Sequence, residues 1–232
     1  MSKITILYDI EKDLQNYDNN YFHQRYPDYG RKDLDTAPWL WPSIKKRLND
    51  TPEDEKLEII RGYLEKRFQD KLVMKIAIKS LNEYWCTIER NYFDRLRRYM
   101  GIKKPIKNMK VFLTTLNICP YSRRENYFYT SFFASIALQT KTMMHESMHL
   151  VFLDNFEKYL VENGVNRQGV LEINEALTVL LNWEFKEFLL VPENNNKPSA
   201  KDLQEEVVAF YKQKKPFGEI LDRLIELRKQ IY

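Results

Sequence analysis

The chain has 232 residues, 44% apolar and 14% aromatic. That is enough to bury a core in one domain, or in one domain with a helical extension, and too apolar for a disordered segment. Lys and Arg number 37 against 33 Asp and Glu, a net charge of +4 with both signs interspersed, so composition alone gives no strong pull toward nucleic acid or an anionic membrane. The two cysteines, Cys86 and Cys119, are far apart and form no CxxC pair, which argues against a thiolate zinc site and a disulfide framework.

The start, Met1 to Leu14, is a short apolar run followed by Asp9, Glu11, Lys12 and Asp13. It lacks the basic start and longer apolar region of a signal peptide. No stretch reaches the apolar length of a membrane span. The expectation is a cytoplasmic protein with no membrane partner. Residues 3–8 (KITILY) read as a short strand or the start of a helix. Residues 15–42 read as irregular or as short helical turns, punctuated by Pro27, Pro38 and Pro42. Their aromatics Tyr29, Trp39 and Trp41 are expected to pack against the domain.

Thr51-Pro52-Glu53-Asp54 has the form of a helix start: a hydroxyl cap, proline at the first position, then acids at the positive end. Leu57, Ile60, Leu64 and Phe68 follow at helical spacing. A second helix is predicted over about 71–99, with Tyr84, Ile88, Tyr92 and Leu96 four apart and Gly101 ending it. The basic cluster Arg95, Arg97, Arg98, Lys103, Lys104, Lys107 and Lys110 reads as a solvated helix face and the loop after it. No nucleic-acid motif accompanies it.

At residue 109 the pattern changes. MKVFLTTLNI is apolar and β-branched and reads as a strand. Cys119 to Ser122 reads as a turn, and Asn126 to Phe133 (NYFYTSFF) as a second strand at a sheet edge. Helices are then predicted over 137–155, 169–190, 200–213 and 216–230, with Pro192 to Pro198 as a polar loop. The expected fold is α+β, mostly helical with a small antiparallel or mixed sheet. The expected division is a helical N-terminal region, 1–108, and a catalytic region, 109–232, or one continuous domain.

The chemistry lies in His145-Glu146-Ser147-Met148-His149, an H-E-x-x-H motif. On a helix, positions i and i+4 share a face, so two imidazoles can reach one tetrahedral zinc ion. The glutamate beside the first histidine leans toward the water on the open zinc position and can take its proton. The chain has only three histidines, and two fall at this spacing. A catalytic zinc needs a third protein ligand. Glu172 and Glu175, three apart on the following helix, are both candidates. No third histidine follows in the metzincin pattern, since Leu150, Val151 and Phe152 come next.

His145 to His149 followed by Asn174-Glu175-Ala176-Leu177 resembles the gluzincin metallopeptidases, above all the compact peptidase-MA-like group. The resemblance covers roughly residues 110–190. It implies a zincin-like core for the catalytic region 109–232, a Zn2+ cofactor, and hydrolysis of peptide bonds in a peptide or protein substrate with Glu146 as general base. It implies Glu175 as the third ligand and Glu172 as an outer or surface residue. It also implies that 126–133 is the edge strand along which an extended peptide could pair. Some gluzincins carry an acid four residues after the ligand glutamate to support a zinc histidine. This chain has Val179 there, and Asp154, Asn174 or Glu172 are the substitutes considered. The oxyanion-stabilising Tyr or His of the family has its candidate in Tyr211; the only other histidine, His23, is far away in sequence. Two alternatives remain beside the peptidase. One is a zinc-binding regulatory or toxin/stress-response protein acting through protein contacts. The other is a metal-free helical protein in which the motif is coincidental.

Overall fold

The computed structural model describes residues 3–23, 40–194 and 200–229. It is an α+β fold, mostly helical, with one mixed sheet of four strands. Two compact units divide the chain. One comprises 1–3, 86–108 and 140–232, the other 4–85 and 109–139. A break falls at 108/109, but the expected regions 1–108 and 109–232 are each shared between the two units. The reason is β1 (Ile4–Leu7), which pairs in parallel with β2 (Met109–Thr114), Ile4 opposite Met109 and Leu7 opposite Phe112. Sheet hydrogen bonds therefore tie the first residues to a segment about a hundred positions away.

In the sheet-bearing unit the strand order is β1-β2-β4-β3, with β3 at Tyr121–Ser122 and β4 at Tyr127–Ser131. β4 runs parallel to β2, and β3 is antiparallel to β4. Two expectations change here. Tyr121 and Ser122 belong to a strand rather than a turn. β4 is also not the outermost strand: β3 covers its far side at Tyr127 and Phe128, and Tyr129 N–H donates to the Pro120 carbonyl. All five β4 residues are buried, as is usual for a strand with both faces covered. Phe112, Tyr127 and Tyr129 form one apolar cluster with Leu7 and Cys119 against it.

Helix α1 (Ile10–Asn16) starts at Asp9, whose carboxylate accepts from the Glu11 and Lys12 amides. It continues into a π-helical stretch, Tyr17–Phe22. α2 (Pro42–Asn49) and α3 (Lys56–Arg67) follow. Thr51 does not cap α3 as expected: its hydroxyl donates back to the Arg47 carbonyl, and a 3-10 turn, Glu53–Glu55, begins the next helix. Trp41 is exposed, with the Arg67 guanidinium 4.2 Å from its ring centre. Tyr29, Trp39, Pro27 and Pro38 lie outside the described residues.

The long helix α4 (Leu72–Met100) ends at Gly101, whose φ of +66° suits a residue without Cβ. The other unit is built on its second half, with α5 (Ile136–Glu162), α6 (Arg167–Leu177), α7 (Lys201–Lys212) and α8 (Phe217–Lys229). Its core includes Tyr92, Leu96, Met144, Met148, Phe152, Ile173, Leu180 and Phe185. The helix expected over 169–190 stops at Leu177. The chain tightens into 3-10 turns at Thr178–Asn182 and Lys186–Phe188, and the Thr178 hydroxyl donates to the Glu175 carbonyl. Among the described residues no helix is long and apolar enough to cross a membrane.

Candidate metal centre

α5 presents His145 and His149 one turn apart, and α6 brings Glu175 to them. One donor atom from each of the three lies within 4.8 Å of the others. The two Nε2 atoms are 2.9 Å apart. Glu175 Oε1 is 3.7 Å from His149 Nε2, and its Oε2 is 3.9 Å from His145 Nε2. A tetrahedral metal about 2.0–2.1 Å from each donor separates its ligands by roughly 3.3–3.5 Å. The separations lie around that span, the two carboxylate distances being from different oxygens of Glu175, so modest side-chain movements would bring one donor of each residue onto an ion. Two imidazole nitrogens and one carboxylate oxygen also match the donors zinc takes in catalytic sites. The residues therefore fit a divalent metal.

The sequence places the histidines for a mechanical reason. Met144, Met148, Val151 and Phe152 are buried in the core and fix the rotation of α5. Tyr92, buried on α4, donates its hydroxyl to the Met144 carbonyl at 2.7 Å, and the Ser147 hydroxyl donates to Tyr92 at 3.4 Å. The register of the motif is thus held from behind. α6 is held at its start by Asn166, whose side chain accepts from the Gly169 amide at 2.8 Å.

The electrostatics of the two rings differ. Burial disfavours charge on both. For His145 the contact with Glu193 and the nearby carboxylates Glu146, Glu193 and Glu175 outweigh burial and push the ring up to about 9. His149 is only 1% exposed; burial and then the charge on His145 hold it well below its ordinary value, against the pull of Asn174. At 2.9 Å the two Nε2 atoms are within hydrogen-bond distance, so a proton on one of them competes with a metal ion for the space between the rings. Glu146 is pushed up to about 8 by burial, with Glu175 and Glu193 adding to the rise and His145 opposing it. A cation among these residues would reverse part of that shift and favour the carboxylate a general base needs.

Position separates Glu172 from Glu175: Glu175 lies with the two histidines and Glu172 does not. Glu172 Oε2 lies 2.6 Å from Nε of the buried Arg228, whose two Nη atoms bind Asp202 at 2.9 and 3.0 Å. Of the candidates for support of the histidines, Asn174 faces His149, whereas Asp154 pairs with Lys107 at 2.5 Å. Tyr211, the oxyanion candidate, has its described contacts with Glu184, Tyr99 and Trp183: its hydroxyl donates to Glu184 at 3.1 Å, and its ring packs near the other two. His23 is exposed and pairs with Asp18 at 3.2 Å. In the basic cluster, Arg95 meets Glu187 at 2.7 Å and Lys107 meets Asp154, so two of its charges face acids.

One residue of the site escaped the sequence reading. Glu193, in the polar loop after α6, is buried and places Oε2 3.3 Å from His145 Nδ1. A lone acid between Pro192 and a run of asparagines carries no periodicity or motif that would single it out. Comparison of the chain with protein-family models, with curated proteins and with solved structures finds no match.

Proposed function

We propose that the protein is a zinc-dependent hydrolase of peptide bonds, with a zincin-like centre formed by His145, His149 and Glu175. The observation that carries this reading is the convergence of the three donors, with Glu146 beside the first of them on the same helix. A zinc ion held there would acidify a bound water and polarise a substrate carbonyl. His145 and His149 offer Nε2 lone pairs, and Glu175 adds the negative charge that makes the donor set suit a divalent ion. Glu146 takes the proton of the attacking water and returns it to the leaving amine. Ser147 and Tyr92, behind the helix, keep Glu146 in register with the two rings.

The test combines metal content with turnover of a mixed peptide library. Purified protein is expected to hold about one zinc per chain by elemental mass spectrometry, and His149→Ala to hold none. Glu146→Gln is expected to keep the zinc and lose cleavage by on the order of 10²-fold or more. Undiminished cleavage by Glu146→Gln would reject the mechanism. Zinc without any cleavage in the wild type would favour a protein that uses the centre for binding partners.

A further inference from the structure

We infer that Glu193 is the positioning residue of His145: it fixes the ring so that Nε2 points at the metal, and the loop carrying it is built for that task. The inference rests on the metal-centre reading and adds a residue outside the ligand set.

The argument starts from the imidazole. Its two nitrogens point in different directions, so a carboxylate on Nδ1 cannot share a metal bound at Nε2. Glu193 Oε2 lies 3.3 Å from His145 Nδ1, while Nε2 faces His149 and Glu175. A carboxylate there favours the tautomer with hydrogen on Nδ1, leaves the Nε2 lone pair free and makes it a stronger donor.

The backbone shows how Glu193 is held. Asn182 grips it with two hydrogen bonds: its side-chain NH2 donates to the Glu193 carbonyl, and its side-chain oxygen accepts from the Glu193 amide, each at 2.7 Å. Asn182 is the last residue of the 3-10 stretch that follows the ligand helix. The element carrying Glu175 therefore also anchors Glu193, and the tightening after Leu177 sets the position of that anchor. Lys141, one turn before His145 on α5, places Nζ 3.9 Å from Glu193 Oε2 and supplies a countercharge. A carboxylate that is 6% exposed would be costly without such partners.

The experiment uses the full chain and zinc, with affinity measured by competition against a chromogenic chelator. Glu193→Ala is expected to weaken zinc binding about 10- to 100-fold. Glu193→Gln keeps an acceptor for Nδ1–H without the charge and should fall between it and the wild type. Asn182→Ala should weaken binding in the same direction. The cobalt-substituted Glu193→Ala should show a shifted visible spectrum, a change that a purely structural loop residue would not produce. Zinc affinity of Glu193→Ala and Glu193→Gln equal to wild type would overturn the inference and leave the metal centre standing. No zinc bound by the wild type would remove the metal centre itself, and this inference with it.

Discussion

Glu172 and Glu175 lie three residues apart on α6 and serve different partners. Glu172 neutralises Arg228, which is buried on α8 and also holds Asp202; Glu175 faces the two histidines. Truncating each should therefore produce opposite signatures. Glu172→Ala leaves the Asp202 pair in place but uncovers one side of a buried guanidinium, and should cost about 1–3 kcal/mol of stability with zinc affinity unchanged. Glu175→Ala should lose zinc affinity by at least about 100-fold and leave the metal-free protein as stable as before. Urea unfolding of the metal-free variants and chelator competition measure the two effects, and a loss of zinc binding in Glu172→Ala alone would reverse the assignment. His145 and His149 were legible because helical spacing is local information. Spacing alone left Glu172 and Glu175 both open, because Arg228 claims Glu172 from the far end of the chain, and only the resemblance of Asn174 to Leu177 pointed to Glu175. Glu193 was illegible for the same reason: its role comes from Asn182 and His145, neither of which is near it in sequence.

At the level of elements, α3, α4, α5, α7, α8 and β2 could be read from periodicity, α6 only in part and α1 and α2 not, and the neighbours of a strand could not be read at all. NYFYTSFF has the aromatic content of a strand at any position in a sheet, and its interior place follows from pairing with β2 and the two-residue β3. Beside the end of β2, α1 also holds a buried acid that no local pattern marks. Asp13, on α1, accepts from the Thr114 hydroxyl at 2.6 Å, the Thr115 amide at 3.0 Å and the Thr115 hydroxyl at 2.8 Å, at the end of β2. Burial pushes its carboxyl up to about 6, against the lowering effect of these hydrogen bonds. A carboxyl raised in the folded state binds its proton more tightly there than in the unfolded chain. Its stabilising contribution is then full below about pH 4 and lost as pH rises through about 6. Wild type should gain stability over Asp13→Asn by up to about 3 kcal/mol between pH 7 and pH 4. Denaturant unfolding across that range measures the gap, and a constant difference between the two proteins would refute the shift.

For the whole molecule, two units drawn from interleaved segments mean that a local change at the metal centre has a defined territory. The proposed ligands His145, His149 and Glu175, with Tyr92, Ser147 and Glu193 beside them, all lie within the unit comprising 1–3, 86–108 and 140–232. An ion that binds the folded state alone stabilises it by mass action, by about 2.7 kcal/mol at a free concentration 100 times its dissociation constant. For a chain of this size that corresponds to a rise in Tm of about 5–10 °C. The unfolded chain offers the same His and Glu side chains, but without helix geometry they do not converge, so little of this gain is cancelled. Calorimetry with zinc and then with chelator should show the rise and its removal, and His149→Ala should show neither. Hydrogen exchange should slow most in α5 and α6, where closing the gaps between 2.9, 3.7 and 3.9 Å onto one ion locks the two helices together. The sheet strands β1, β2 and β4 contribute no ligand, so a zinc-induced slowing confined to them would point to a different binding site.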